Sequence, residues 1–78
     1  MTLDEAKALQ KGDRVYSMES KDADGSASKW RVTGEVQTWK RDESRVRVPL
    51  KRGLYEYCAL TEEELHLFSL TSPVVMAV

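Results

Sequence analysis

The chain has 78 residues, of which 41% are hydrophobic and 32% charged, and its net charge is −1. This length allows one small domain, and the apolar content excludes an intrinsically disordered chain. One cysteine excludes an internal disulfide and a cysteine metal site, and no apolar run approaches the roughly 20 residues of a membrane helix. The free thiol and the lack of a secretory signal predict a cytoplasmic protein without a membrane role.

The first ten residues predict a short amphipathic helix. Thr2 and Glu5 have the spacing of a capping box, and Gly12 follows as a stop signal. Apolar residues recur at helical spacing at Leu3, Ala6 and Leu9. Such a helix of about two turns is stable only when it packs on the rest of the chain. The predicted organisation is a helix at 1–10, a barrel at 11–70 and an apolar tail at 71–78.

Alternation of apolar and polar residues predicts the strands that follow. A turn that leads into the first strand lies at Gly12–Tyr16, and the next strands cover about Lys29–Trp39, Arg45–Lys51, Leu54–Leu60 and Leu67–Leu70. A second capping box at Thr61 opens one helical or 3₁₀ turn, Glu62–Leu65. The fold class is therefore mainly β: a five-stranded SH3-like barrel with a short N-terminal helix and one helical turn before the last strand. An OB-fold, which places its helix between strands three and four, is the alternative.

Glycines and prolines mark the irregular positions. Asp24-Gly25 is a hairpin signal, and the segment 22–26 fits a turn better than a calcium loop, because its spacing differs from that of an EF-hand. Gly34 allows a bend in the long second strand, and Pro49 requires a free edge or a bulge because it donates no backbone hydrogen bond. With a two-residue turn at Arg52-Gly53, the inward-facing residues of the fourth strand are Tyr55, Tyr57 and Ala59.

The expected core follows from the inward positions of these strands and helices. Its members are Val15, Val32, Val36, Val46, Val48, Leu50, Leu65 and Leu67, joined by some of Trp30, Tyr55, Tyr57 and Phe68.

The charge of the chain is strongly uneven. The 24 residues from Lys29 to Arg52 contain eight cations and three acids, a net charge of +5, whereas the other 54 residues contain four cations and ten acids. We expect the second and third strands to pair across the Lys40–Ser44 turn in a symmetric register. The predicted cross-strand pairs are Trp39 with Arg45, Gln37 with Arg47 and Thr33 with Lys51, and Glu35 lies diagonal to Arg47. This register gathers one group of cations at one end of the hairpin, Lys29, Arg31, Lys51 and Arg52, and another at the end beside Trp39, Lys40, Arg41 and Arg45.

The outward residues of this hairpin combine cations with a tryptophan, a pattern typical of a nucleic-acid-binding surface. Lysine and arginine contact phosphates, and an exposed Trp39 stacks on an unstacked base. We therefore predict a small non-enzymatic binding module that serves as a nucleic-acid-binding accessory protein and needs no cofactor or metal. The predicted binding residues are Lys29, Arg31, Trp39, Lys40, Arg41, Arg45, Arg47, Lys51 and Arg52.

Other interpretations of the same face stay open. The chain is alternatively a protein-interaction module that binds an acidic partner, or that self-associates through its apolar tail. A solvated sheet face is a further alternative, with Trp39 rotated inward to cap the barrel. The isoelectric point near 5.8 favours these alternatives, because dedicated nucleic-acid-binding domains are usually basic. A small oligomeric enzyme with its site on a symmetry axis is a third interpretation, and the sequence does not indicate an oligomeric state.

The remaining reactive side chains do not form a catalytic motif. His66 is the only histidine, and its position between Leu65 and Leu67 predicts a solvent-facing strand residue. We expect Cys58 to be an inert thiol; Arg47 lies opposite it in the expected register, and a lowered thiol pKa with redox reactivity is the alternative.

Two segments resemble known small barrels. Lys11-Gly12-Asp13-Arg14-Val15 resembles the first strand of SH3-like and KOW-type domains, and Leu60–Leu65 resembles the helical turn before their last strand. Gly12–Val15, with a strand that carries Trp30, Gly34 and Trp39, is also similar to the type II dihydrofolate reductases. That family uses a Val-Gln-Ile-Tyr strand at the centre of a tetramer, whereas this chain has Tyr55-Glu56-Tyr57-Cys58. The resemblance therefore implies a fold and no catalytic residue.

Overall fold

The computed structural model describes residues 1–21, 25 and 27–71. In this part of the chain the fold is mainly β, which confirms the coarse prediction. In chain order the elements are α1 (Leu3–Lys7), β1 (Arg14–Lys21), β2 (Ala27–Val32), β3 (Gln37–Trp39), β4 (Asp42–Arg52), β5 (Glu56–Thr61), a 3₁₀ helix (Glu62–Leu67) and β6 (Phe68–Ser69). The predicted turn or calcium loop at 22–26, apart from Gly25, and the tail from 72 onward lie outside the described residues.

The capping box at the start of α1 is present. The Glu5 backbone N–H donates to the Thr2 hydroxyl (3.2 Å), and the Thr2 N–H donates to the Glu5 carboxylate (2.8 Å). The second of these bonds contributes most to holding the pKa of Glu5 below its ordinary value. The helix is shorter than predicted and ends at Lys7. Its apolar side still docks, since Ala6 and Leu9 are buried in the core.

All pairings in the described sheet are antiparallel. The long strand β4 carries β2 and β3 along one edge and β5 along the other; β1 pairs with β2, and β6 pairs with β1. Among the described residues no pairing joins β5 to β1 or β6, so the sheet remains open there. The order of elements also differs from an OB-fold, because the 3₁₀ helix precedes the last strand.

The predicted second strand is divided into β2 and β3 opposite Pro49. Register before the break pairs Val32 with Leu50, and register after it pairs Gln37 with Arg47, so two extra residues lie between the two halves. Since Pro49 has no N–H to donate, the ladder is interrupted at this point; its carbonyl accepts from the Thr33 N–H (3.0 Å). The expected pair of Thr33 with Lys51 is therefore wrong, and Arg31 takes that place.

The core matches most of the expected set. Its buried members are Ala6, Leu9, Val15, Val32, Val46, Val48, Leu50, Leu60, Leu65 and Phe68. Trp30, Val36 and Leu67 are only partly buried and pack against this cluster.

The inward set predicted for the fourth strand is wrong for its tyrosines. Three residues, Gly53 to Tyr55, connect β4 to β5, and Gly53 adopts a positive φ of 62°. The register pairs Leu50 with Cys58, three positions away from the expected pairing with Tyr55. Because an odd shift exchanges the two faces of a strand, both tyrosines are exposed and Leu60 enters the core.

The 3₁₀ helix is longer than the predicted turn, and its cap differs. The Thr61 side chain makes no capping hydrogen bond, so the second capping box does not form. The Glu62 carboxylate instead accepts from the Val46 N–H (3.4 Å) and pairs with Arg45 (3.6 Å). His66 is exposed as predicted, but it lies in this helix and not in a strand.

Candidate functional site

The nine predicted binding residues separate into distinct places on the sheet. Lys29, Arg31 and Lys51 line an open depression of about 530 Å³ that we call the basic depression. Its lining also includes Arg14, Trp30, Gly53 and Leu54. The other predicted residues lie around the β3–β4 turn, beside a smaller hollow, or on the opposite face of β4.

Three cations of the basic depression form a straight line across the sheet. Arg14 on β1 is the cross-strand partner of Arg31 on β2, and Arg31 is the partner of Lys51 on β4. We call these three residues the cation row. Because neighbouring strands lie about 4.8 Å apart, the row spans about 10 Å between its outer Cα atoms. Lys29 stands two residues before Arg31 on the same face of β2 and adds a fourth cation.

No described carboxylate neutralises this group. The ion pairs seen among the described residues join Arg45 to Glu62 and Arg52 to Glu56, and neither involves the four cations of the depression. Arg14, Lys29 and Arg31 are exposed, and Lys51 is half-buried. Four like charges around one concave surface produce a positive local potential that attracts an anionic ligand.

Arg14 is the member that sequence reasoning missed. Alternation with the buried Val15 places Arg14 outward, and that signal was available. The pairing of Arg14 with Arg31 was not predictable from the sequence, because the β1–β2 register is set across the loop at 22–26 and does not follow from local spacing. The register observed brings Arg14 to the end of the row.

The row continues beyond its last cation onto an aromatic side chain. Lys51 pairs with Tyr57 on β5, and the Lys51 ammonium lies 5.3 Å from the centre of the Tyr57 ring. Tyr57 is 67% exposed, and the adjoining hairpin tip exposes Leu54 (74%) and Tyr55 (88%). An apolar and aromatic patch thus borders the basic depression.

At the Trp39 end of the predicted binding face, Trp39 and Arg45 contact each other. The Arg45 guanidinium lies 4.3 Å from the centre of the Trp39 ring, and Trp39 is only partly exposed. A register shift after Thr38 makes Asp42 the backbone partner of Trp39, so the predicted Trp39–Arg45 pair is wrong for the backbone although the side chains meet. Lys40 and Arg41 are exposed at the turn.

Hydrogen bonds also order the start of β4, next to this turn. The Ser44 hydroxyl and then the Ser44 backbone N–H donate to Asp42 and hold the pKa of its carboxyl below the ordinary value. Asp42 and Ser44 belong to β4, so the turn is limited to Lys40 and Arg41 and is shorter than the predicted Lys40–Ser44 turn.

Arg47 lies in a separate place. It faces Gln37, as predicted, and shares a hollow of about 340 Å³ with Glu35 and Pro49. The expected ion pair between Arg47 and Glu35 is not among those formed by the described residues. Arg47 is therefore an exposed cation beside one acid, outside the cation row.

Arg52 lies on the other face of β4. Its guanidinium donates to the Ser28 hydroxyl (2.6 Å), pairs with Glu56 (2.8 Å) and lies 5.3 Å from the centre of the Trp30 ring. Ser28 is fully buried. These contacts make Arg52 a structural residue at the end of the core, whereas its neighbour Lys51 faces the depression.

The reactive groups offer no catalytic arrangement within the described residues. Cys58 lies opposite Leu50 instead of Arg47, and desolvation, followed by the charge of Glu64, raises the pKa of its thiol. The alternative of a lowered thiol pKa beside Arg47 is therefore wrong, because that pairing does not form. No group of three or more histidine, cysteine or acidic side chains in the described part of the chain is arranged to hold a metal ion. Nor does any described helix have the length and apolar character needed to cross a membrane.

What this arrangement offers chemically is the binding of an anion that has an apolar or aromatic portion. Comparisons with protein-family models, curated proteins and solved structures found no match to this chain.

Proposed function

We propose that this chain is a non-enzymatic binding module that holds the phosphate backbone of a nucleic acid on the cation row. The observation that carries the proposal is the line of Arg14, Arg31 and Lys51 across three strands, with Lys29 beside it and no described carboxylate paired to any of them. Lysine and arginine bind phosphate through charge, and they release the counterions condensed on the nucleic acid.

The binding mode follows from the size and charge of the site. Four cations predict a salt slope of log K against log salt of about −3, at roughly 0.7 to 0.9 per phosphate contact. Contacts to phosphates carry no sequence information, so binding has little base preference. The acids outside the basic depression, including Glu62 to Glu64 on the 3₁₀ helix, repel a polyanion from the other surfaces and orient it toward the row.

The proposed fold within the mainly β class is an SH3-like barrel. Its support is a broken strand whose first half (β2) pairs with β1 and β4 and whose second half (β3) continues along β4. The 3₁₀ helix before the short last strand adds to this support. We place the protein in the cytoplasm because the free Cys58 thiol fits a reducing compartment.

Binding of a fluorescein-labelled oligonucleotide to the full chain, followed by anisotropy at several salt concentrations, tests the proposal. Arg31→Gln removes the central charge of the row and should weaken binding and reduce the salt slope by about 1. Arg41→Gln is the matched control, because it removes the same charge from an exposed arginine at the β3–β4 turn. It should leave the affinity within about twofold of the original protein, since surface charges away from the contact contribute little.

Three results would overturn the proposal. They are the absence of binding by the original protein at low salt, equal affinity of the Arg31→Gln variant, and a larger loss in Arg41→Gln than in Arg31→Gln. The last result would return the site to the Trp39 end that the sequence predicted.

A protein-interaction module is the second candidate function. The observation that favours it is Leu54, an apolar side chain that is largely exposed at the edge of the depression and that a phosphate backbone does not require. An acidic partner would contact both the cations and this patch. Such a complex should lose much less affinity with salt than the nucleic-acid complex.

A further inference from the structure

We infer that the ligand is single-stranded nucleic acid, whose bases stack on Tyr57 and Tyr55 while its backbone lies on the cation row. This inference rests on the proposed function and names the form of nucleic acid that the site binds. It also moves the stacking role from Trp39, where the sequence places it, to the β4–β5 hairpin.

The cation row continues onto an aromatic residue of β5. Arg14, Arg31, Lys51 and Tyr57 are successive cross-strand partners on β1, β2, β4 and β5. With strands about 4.8 Å apart, the line from the first cation to the tyrosine is about 14 Å long. A backbone that follows the three cations across the sheet therefore arrives with its bases at Tyr57.

Tyr55 and Tyr57 are both highly exposed. Tyr57 lies on the outer face of β5 and Tyr55 lies in the hairpin loop, and most of each side chain is in contact with solvent. Neither residue belongs to the buried core, so packing does not account for them. Leu54, Tyr55 and Tyr57 lie within four residues of the β4–β5 hairpin, and exposed apolar residues that are concentrated in one place mark a binding surface more often than scattered ones do.

Only a nucleic acid with unstacked bases can stack on these rings. A tyrosine stacks on a base only where that base is unstacked from its neighbours, as in a single strand, and every base offers a face for this contact. A duplex keeps its bases stacked inside the helix and would present only phosphates to the cation row. Duplex binding would leave both tyrosines in water.

Trp39 is less suited to this role, because it is only partly exposed and its ring already contacts a cation. The Arg45 guanidinium lies 4.3 Å from the centre of the Trp39 ring, and Glu62 pairs with Arg45. Lys51 differs, because its ammonium is a point charge on a flexible stem and no described carboxylate pairs with it. It can contact a phosphate while the Tyr57 ring receives the base.

The test compares a fluorescein-labelled 8-nucleotide oligo(dT) with an 8-base-pair duplex, using the full chain in one low-salt buffer at a temperature where the duplex stays paired. Tyr55→Leu/Tyr57→Leu removes the aromatic rings and keeps apolar side chains. Tyr55→Phe/Tyr57→Phe keeps the rings and is the matched control. Amide spectra of each variant establish that it is folded before binding is measured.

We expect the original protein to bind the single strand at least tenfold more tightly than the duplex. The leucine variant should lose at least about 30-fold in affinity for the single strand, because it removes two base–aromatic contacts and each contributes about fivefold or more, and it should keep its affinity for the duplex. The phenylalanine variant should bind the single strand as the original protein does.

The unfavourable outcomes differ for the two proposals. Equal affinity for both forms, or a leucine variant that still prefers the single strand, overturns the inference and leaves the proposed function standing. A phenylalanine variant as weak as the leucine variant also overturns it, because the hydroxyl groups would then make the contact. No binding to either nucleic acid overturns the proposed function, and tighter binding of polyglutamate than of oligo(dT) favours an acidic protein partner.

Discussion

The guanidinium of Arg45 contacts both the Trp39 ring, 4.3 Å from its centre, and the Glu62 carboxylate at 3.6 Å. This arrangement links the β3–β4 hairpin to the 3₁₀ helix through one side chain. A planar guanidinium suits both contacts, because it stacks on an aromatic face while it pairs with a carboxylate at its edge. The positive charge of Arg45 is therefore engaged in contacts with other residues of the same chain.

Replacing Arg45 should cost stability more than it costs nucleic-acid affinity. Arg45→Ala removes a cation–π contact and a partly exposed ion pair, and we expect a loss of about 1 kcal/mol in the free energy of unfolding. Arg45→Lys keeps the charge but not the planar stack and should lose an intermediate amount. Urea unfolding measures these changes, with Arg41→Ala as the control for an exposed arginine of the same turn. A loss of equal size in Arg41→Ala would refute this account.

Two glycines should respond in opposite directions to the same substitution. Gly53→Ala places a side chain at a positive φ of 62°, and we expect a cost of about 1 kcal/mol although its Cβ would meet no neighbour. Gly34 does not have a positive φ, and its Cβ would lie 3.7 Å from the Pro49 side chain, an ordinary contact. Gly34→Ala should therefore be neutral or stabilise the fold by up to about 1 kcal/mol. Thermal unfolding of the two variants decides the comparison, and a larger loss in Gly34→Ala would contradict it.

The Cys58 thiol should react slowly in the folded protein and make stability depend on alkaline pH. Desolvation, and then the charge of Glu64, raises its pKa in the folded state above that of the unfolded chain. The folded state therefore holds the proton more tightly than the unfolded state. This contribution is complete below the unfolded pKa and is lost as the pH rises through the raised folded pKa.

Iodoacetamide alkylation across alkaline pH measures the thiolate fraction. The midpoint for the folded protein should lie above that of the urea-unfolded protein, and Glu64→Gln should lower it by removing the nearby negative charge. Cys58→Ser is the control for the stability measurement, because it removes the thiol titration. A folded midpoint at or below the unfolded one would show that desolvation and Glu64 do not raise the pKa of Cys58.

The local features of this chain were predictable because they depend on neighbours in sequence. The Thr2–Glu5 capping box needs only a three-residue spacing, and the buried set Val46, Val48 and Leu50 follows from the period of a strand. The pairing of Gln37 with Arg47 was also predictable, since the turn that joins their strands is short and contiguous. In each case the interacting groups lie within one element or one hairpin.

The faces of β5 were not predictable in the same way. A two-residue and a three-residue turn are both compatible with Arg52-Gly53, and the choice between them reverses every side chain that follows. Packing of Leu60 with the core decides it, and Leu60 occupies the buried position opposite Val48 while Tyr57 turns to solvent. The exposed tyrosines of the candidate site are a consequence of that choice.

By itself, the sequence determined that the chain is mainly β, which residues alternate along most strands, and that the cations concentrate between Lys29 and Arg52. It also predicted that Lys29, Arg31 and Lys51 gather at one end of the hairpin, but only the tertiary structure decided which cations are cross-strand partners. Arg14 joins Arg31 through a pairing across a loop, Arg31 meets Lys51 because the strand breaks opposite Pro49, and Arg52 turns away to Ser28 and Glu56. The physical reason is that strand register is set by backbone hydrogen bonds and core packing between distant segments, whereas composition and periodicity describe each segment alone.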